Sequence, residues 1–309
     1  MKHIFIINPQ AGKSSSFRAL KKQIEDCFAA CPQEDYEICL THHAGEGTEI
    51  ARRFAQSGEE VRVYACGGDG SAFDVLNGIM GFPNAAMGVI PRGTGNDFLK
   101  IFNNQELFAQ LDSQLSGEVV LLDAILAGDK YCLNQASMGL DAQVCAHKDK
   151  FRRWPLVGGQ VAYVLALLYC FFSAIRNRFT VTVDHKPVAQ GDYLLAVAAN
   201  GRFYGGGFQS APTAMPNDGE MECMTIKSVS RFRILSLLKK YSKRKHVGLP
   251  ICQYGRGKTM TVCSQKPTVY NLDGEVFYAQ EITFQMVPDA VRFVVPKGCE
   301  MIPPVELDI

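Results

Sequence analysis

Two glycine-rich runs, Gly67-Gly68-Asp69-Gly70-Ser71 and Pro91-Arg92-Gly93-Thr94-Gly95-Asn96-Asp97, follow one another closely, and each carries an acidic residue. A turn almost without side chains lets backbone N–H groups and a helix N-terminus approach phosphate closely. Asp69 then adds negative charge where the Mg²⁺ of a nucleotide could sit. One such turn is weak evidence, but two in succession point to a nucleotide-using phosphotransferase. A third loop, Asn8-Pro9-Gln10-Ala11-Gly12-Lys13, offers another phosphate cradle, with Lys13 and Arg18 to neutralise charge. It lacks the Walker A spacing and alone would pass for an ordinary strand-to-helix turn. Three such loops at successive strand ends shift the balance.

Two acidic turns lie far downstream. Asn271-Leu272-Asp273-Gly274-Glu275 places two carboxylates beside one glycine. That pattern serves a plain hairpin, or a proton acceptor for a substrate hydroxyl during phosphoryl transfer. Pro216-Asn217-Asp218-Gly219-Glu220 fits a hairpin and a hard-cation site equally well.

The elements that must position these residues alternate in the first part of the chain. Strands are expected at residues 4–7, 36–40, 61–66 and 86–90, with helices at 16–30, 48–57 and 72–80. Such βαβα alternation predicts a parallel sheet with helices on both faces and ligands at the C-terminal strand ends. After about residue 122 the texture changes. Short β-rich segments at 181–183, 193–199, 221–226, 259–262, 268–271, 282–285 and 291–295 suggest an antiparallel sandwich or barrel. Helices at 161–175 and 232–241 interrupt it. The domains expected are 1–125 (nucleotide-binding α/β), 126–295 (β-sandwich) and a segment 296–309 returning to the first.

The bulk properties are those of a globular protein: 309 residues, 47% hydrophobic and 20% charged. A net charge of +1 excludes global attraction to nucleic acid, so no nucleic-acid partner is expected. The 11 cysteines are scattered and form no C-x-x-C pair, which reads as buried thiols in a reducing cytosol. Met1-Lys2-His3 runs straight into a strand-like segment, not a secretory signal. Residues 156–175 are almost wholly apolar and flanked by Arg152, Arg153, Arg176 and Arg178. Gly158-Gly159-Gln160 interrupts them, leaving a length suited to a buried or interfacial helix and not to a membrane span.

The motifs resemble the diacylglycerol kinase catalytic-domain family of lipid kinases in its soluble bacterial form. The resemblance rests on Asn8-Pro9-x-Ala11-Gly12-Lys13, Gly67 to Ser71, Pro91-x-Gly93-Thr94-Gly95-Asn96-Asp97-Phe98 and Asp273-Gly274-Glu275. Asp123, Asn134 with Gly139, Asn200-Gly201 with Gly205-Gly206-Gly207, and Asp218-Gly219 extend it in family order to about Phe277. It implies an N-terminal α/β domain similar to NAD kinases and phosphofructokinases, a C-terminal β-sandwich, and ATP in the cleft between them. Asn8, Pro9, Gln10, Ala11, Gly12, Thr41, Gly67, Gly68, Asp69, Gly70, Ser71, Ala72, Phe73 and Thr94, with neighbouring Asn96, would line the nucleotide. Asp69, Asp97 and Asp123 would organise Mg²⁺ and water, and Asp218 would hold a structural Mg²⁺ with oxygens of Met215 and Glu220. Glu275 would accept the proton, with Asp273 beside it. Ser71 stands where the family more often has Thr and keeps the hydroxyl. His42 and His43 read as surface loop residues.

Phosphofructokinases share Gly-Gly-Asp-Gly-Ser, but Arg92 to Phe98 fits lipid kinases better. NAD kinases share the first motif, yet the chain has no Asn-Glu dipeptide. A non-catalytic binding protein on the same fold would not need Asp69, Asp273 and Glu275. Between Lys227 and Lys258 lie ten Lys or Arg residues and no Asp or Glu. A solvated helix face explains them as well as an anionic membrane does, the latter rewarding each nearby basic residue by roughly 1 kcal/mol. The expectation is a cytoplasmic enzyme, peripherally associated with the inner face of the membrane, phosphorylating a lipid alcohol, diacylglycerol first. The lipid and the oligomeric state, a homodimer included, are left open.

Overall fold

The computed structural model describes residues 1–11, 16–30, 34–92, 95–152, 159–172, 177–241 and 244–305. The chain forms two compact units, Met1–Ala124 with Pro288–Pro303, and Ile125–Val287 with Pro304 and Val305. The return to the first unit thus comes at Pro288, earlier than the boundary at 295 drawn from the sequence.

The first unit begins β1 (Lys2–Ile7), α1 (Ser16–Ala29), β2 (Asp35–Leu40), α2 (Glu46–Ala55), β3 (Val61–Gly67), α3 (Asp69–Ile79) and β4 (Ala85–Pro91). The four strands pair in parallel in the order β4-β3-β1-β2. β1, β3 and β4 are buried almost end to end, as parallel strands covered on both faces must be. Register puts Ile7 beside Leu40 and Cys66, and Gly67 beside Pro91. All four following loops therefore leave the same edge of the sheet. α2 and α3 pack so closely that a Cβ on Gly78 would lie 2.5 Å from Ala51 Cβ, which explains a glycine inside a helix.

Beyond β4 come two 3₁₀ turns, α4 (Leu111–Leu115) and β5 (Glu118–Ala127). The second unit continues with β6 (Lys130–Cys132), β7 (Gln135–Gly139), α5 (Leu140–Arg152), α6 (Gly159–Phe172), β8 (Asn177–Val183), β9 (Lys186–Ala199), β10 (Phe203–Tyr204), β11 (Phe208–Gln209), β12 (Met221–Lys227), α7 (Arg231–Tyr241), β13 (Cys252–Gly257), β14 (Thr259–Leu272) and β15 (Glu275–Val295). Its sheet runs β13-β12-β9-β7-β14-β15, antiparallel throughout, and β8 pairs with both β9 and β14. Side chains of α5, α6 and α7 share one core cluster with β9 and β12, including Val144, Ala166, Leu195, Met224 and Leu237.

The separate segments expected at 259–262 and 268–271 are one strand, β14, with its register shifted between Cys263 and Thr268. Those at 282–285 and 291–295 are both parts of the 21-residue β15. Polar stretches masked the continuity: solvent-facing positions of a long hairpin need not be apolar. Residues 173–175 of the expected apolar helix lie outside the described residues. No described helix is long and apolar enough to cross a membrane. Every described cysteine is a free thiol.

Residues 288–295 of β15 belong to the first unit, where Phe293 pairs beside Met87. Phe293 is fully buried, with its ring 5.7 Å from Phe98, 6.0 Å from Phe102 and 6.4 Å from Phe108. Truncating such a side chain removes its transfer free energy and leaves a cavity. Phe293→Ala should destabilise the first unit by about 3–5 kcal/mol, read as a lower urea midpoint. An unchanged midpoint would show that the returning segment is dispensable to that core.

Candidate active site

The loop after β1 is drawn in by an Asx turn: the Gln10 N–H donates to Asn8 Oδ1 at 2.9 Å and the Ala11 N–H to Asn8 O at 3.1 Å. The Asn8 N–H in turn reaches Cys66 O on β3, at 3.3 Å. Pro9 and Gln10 lie at the turn's surface; Gly12 and Lys13 fall outside the described residues. Arg18 is exposed on α1, and Thr41 anchors the start of its loop by donating its N–H to Ile7 O at 3.0 Å. His42 and His43 are exposed.

Gly67 ends β3, and α3 begins at Asp69 with Gly68 as its cap. A Cβ on Gly67 would fall 2.0 Å from Ser71 Oγ, so only glycine lets the serine of the first helical turn fold back over the strand end. Gly70, Ser71, Ala72 and Phe73 occupy that first turn, and Phe73 is buried. The two glycine loops meet at Asp69. The Asp97 N–H donates to Asp69 Oδ1 at 3.1 Å, while a Cβ on Gly95 would lie 2.2 Å from Asp69 Oδ2. Asn96 between them adopts φ 62°, a left-handed conformation that Asn tolerates. Thr94 lies outside the described residues.

Asp97 is buried and pairs with Lys100, one helical turn on, which the motif reading overlooked. Burial pushes the Asp69 carboxyl up from its ordinary 3.8 to about 6; the nearby Asp97 charge adds to this, and the N–H groups of Asn96 and Asp97 oppose it. Two close carboxylates with incomplete compensation suit a divalent cation. Asp123, buried on β5, accepts the Asp289 N–H at 2.9 Å and so holds the turn by which the chain re-enters this unit.

The other acidic residues of the motifs belong to the second unit. Asp273 and Gly274, with φ 51° and 96°, form the two-residue turn between β14 and β15. The Asp273 carboxylate accepts three successive backbone N–H groups, from Leu133 at 2.7 Å, Asn134 at 3.1 Å and Gln135 at 2.8 Å. Its oxygens are committed to the backbone. Glu275 opens β15 and is exposed. Of the two residues, Glu275 is the exposed one.

Asp218 and Glu220 meet a different cation from the Mg²⁺ implied for Met215, Asp218 and Glu220. Arg256 directs Nη2 to Asp218, Nη1 to Glu220 Oε2 at 3.3 Å and Nε to the buried Glu222 Oε1 at 3.5 Å. Strand register sets Glu222 opposite Arg256. A divalent ion on Asp218 would have to displace that guanidinium, so the donor set fits an ion-pair cluster better than a metal. Among the described residues no group of three His, Cys, Asp or Glu side chains is arranged to hold a metal ion. No local motif could have revealed Arg256, whose link to Asp218 exists only through strand pairing.

Residues 2–126 match the family model of the diacylglycerol kinase catalytic domain, and residues 134–295 that of the YegS C-terminal NAD kinase beta sandwich-like domain. The "Probable lipid kinase YegS-like" of Shewanella frigidimarina is 30% identical over 243 residues, 77% of each chain. A diacylglycerol kinase structure from Bacillus anthracis superposes with TM-score 0.67 at 18% identity, covering 97% of this chain and 98% of that one. An Archaeoglobus fulgidus NAD kinase solved with ATP gives TM-score 0.52 at 14% identity over 96% of this chain and 94% of its own. The two structural likenesses establish the fold, an NAD kinase-like α/β part followed by a β-sandwich.

The raised Asp69 carboxyl carries a stability consequence. Between pH 4 and 6 the native state holds a proton that the unfolded chain has released, so ionised Asp69 costs stability above about pH 6. Asp69→Asn should therefore raise the thermal midpoint at pH 8, by an equivalent of about 1–3 kcal/mol, with the gain fading as pH falls to 4. A gain that does not depend on pH would refute this origin.

Proposed function

Because the chain belongs to the lipid kinases that join a diacylglycerol kinase catalytic domain to a YegS-type C-terminal domain, we propose that it transfers the γ-phosphoryl group of ATP, with Mg²⁺, to the hydroxyl of diacylglycerol, giving phosphatidic acid. It is a lipid kinase; ATP, Mg²⁺ and diacylglycerol are the proposal. The contrast within one turn carries it: Asp273 is saturated by backbone N–H groups, whereas Glu275 is exposed at the start of its strand.

The glycine loops after β1, β3 and β4 cradle the nucleotide phosphates, their backbone N–H groups taking the role that side chains would otherwise fill. Mg²⁺, when bound, would supply charge neutralisation at the phosphate oxygens, and Asp69 and Asp97 would hold it. Glu275 takes the hydroxyl proton as the substrate oxygen bonds to the γ-phosphorus and the bond to the ADP oxygen breaks. Asp273 fixes the turn and leaves the proton to its neighbour. Phosphoryl transfer needs positioning and charge neutralisation above all, so this short inventory suffices.

Lipid access follows from α6 and α7. Ala162, Ala166 and Cys170 face the core, while Val161, Leu168 and Tyr169 are 52%, 49% and 44% exposed. That leaves an apolar outer face on α6. Arg231, Arg233 and Lys240 are exposed on α7, whose Ile234, Leu237 and Tyr241 enter the same core cluster. We propose that these helices dock peripherally on an anionic membrane at its cytoplasmic face.

Radiolabelled ATP incubated with the enzyme, Mg²⁺ and a total lipid extract should label phosphatidic acid. Glu275→Gln should lower that rate by about 10²–10⁴-fold with the fold intact. Another labelled lipid, phosphatidylglycerol phosphate or a sphingoid phosphate, would reassign the substrate; no labelled lipid at all would favour a binding protein. Flotation with vesicles should rise with anionic lipid, fall with salt, and drop in a Leu168→Glu, Tyr169→Ser variant. Equal flotation with neutral vesicles would remove the electrostatic part.

A further inference from the structure

Gln135 meets the turn that carries Glu275 twice through its main chain. Its N–H donates to Asp273 Oδ1 at 2.8 Å, and its carbonyl accepts the Asp273 N–H at 3.0 Å. The β7–β14 ladder pairs Ala136 to Met138 with Leu272 to Tyr270. Gln135 is thus the residue at which that ladder gives way to the turn, and its placement sets where the turn lies.

The side chain of Gln135 is buried and reaches away from the turn. Its Nε2 donates to the Oγ of the fully buried Ser210 at 2.6 Å. The contact holds with either end of the amide, because a hydroxyl both donates and accepts. Ser210 follows β11 directly and is itself held: His246 Nε2 donates to Ser210 O at 2.9 Å. A carbonyl accepts only, so the proton of this imidazole stands on Nε2. Nδ1 is then a bare acceptor, fully buried and without a hydrogen-bond partner among the described residues. Burial holds the ring below its ordinary 6.5 and so neutral, the state this contact needs. The imidazole packs 4.2 Å from the ring of Tyr241, the last residue of α7. A buried amide tied to a buried hydroxyl is poorly explained by packing, since an apolar side chain of the same shape would fill the space without dehydrating polar atoms.

We propose that Gln135 is a positioning residue for phosphoryl transfer: its side chain, tethered to Ser210 and through it to His246, fixes the main-chain groups that hold Asp273 and with it the turn that presents Glu275. This rests on the reading of Glu275 as proton acceptor. Gln135, Ser210 and His246 touch no substrate in this scheme.

The test uses the full chain, with radiolabelled ATP and a total lipid extract. Gln135→Met keeps the volume of the side chain and removes its hydrogen bond, and Ser210→Ala removes the partner hydroxyl alone. Each should lower kcat by about 10-fold and leave the KM for ATP within about twofold. Amide hydrogen exchange should quicken in peptides covering 133–135 and 271–275 and stay as it was over β9 and β12. The double variant should lose no more than the larger single loss, because both changes cut one contact. His246→Phe keeps a ring against Tyr241 but lacks the donor, so it should repeat the pattern; His246→Gln, which offers an N–H of similar reach, should restore most of the activity. Ser210→Ala, the smallest change, decides the matter should Gln135→Met fail to fold. Losses that multiply in the double variant overturn the tether, and so does unchanged exchange at 271–275. An unchanged kcat overturns its bearing on transfer. Lost protection over β9 and β12 as well would mark a general structural role and overturn the proposal too. Should Glu275→Gln keep full activity, the catalytic reading of the turn fails, while exchange at 271–275 still decides whether Gln135 holds it.

Discussion

Close approach of negative groups is the constraint on which this molecule is built. Asp69 and Asp97 stand near each other in a partly dehydrated place, where like charges repel more strongly than in water. The surroundings are shaped to tolerate this. Gly95 withdraws its Cβ from Asp69 Oδ2, the Asp97 N–H supports Oδ1, and Lys100 pairs with the Asp97 carboxylate. Parallel register brings the strand ends level, so that the loops can meet at all. A cluster relaxed in isolation would have little to gain from a cation; a compressed one has much. The site proposed here for a cation and a polyphosphate would account for retaining Asp69 at this cost.

The second unit shows the complementary use of carboxylates. Asp273 is consumed by three N–H groups and Asp218 by Arg256. Each is an acidic residue in or near a motif, and each acts on the protein itself. Glu275, by contrast, is exposed at the start of its strand. Counting acidic residues in motifs therefore overstates the catalytic inventory: the distinction between a group that reacts and a group that positions lies in where its lone pairs are spent.

That distinction also explains what the sequence could disclose. Residues adjacent in the chain carried their meaning openly: β1, β3 and β4 read as strands because they are largely apolar, and the glycine loops announced the strand ends. Lys100 was within reach of the same logic, being three residues from Asp97. The α5 helix went unread: its Leu140, Val144 and Phe151 recur at helical spacing, but polar residues fill most of the positions between them. Arg256 and the Ser137–Asn271 contact depend on pairings of strands far apart in sequence. Motif reading names the residues at a turn and misses what grips them from behind.

The same logic separates reaction from substrate. Phosphate and Mg²⁺ are recognised by backbone N–H groups and carboxylates, which demand fixed types at fixed spacing and so leave a pattern. An acyl chain is recognised by apolar area, which many residues supply interchangeably. The outward face of α6, with Val161, Leu168 and Tyr169, could be rebuilt from other apolar side chains without losing the affinity for a lipid surface proposed for it. Selection of one lipid alcohol over another must then rest on the few polar groups that reach its headgroup, because only unpaired polar groups discriminate strongly between otherwise similar ligands.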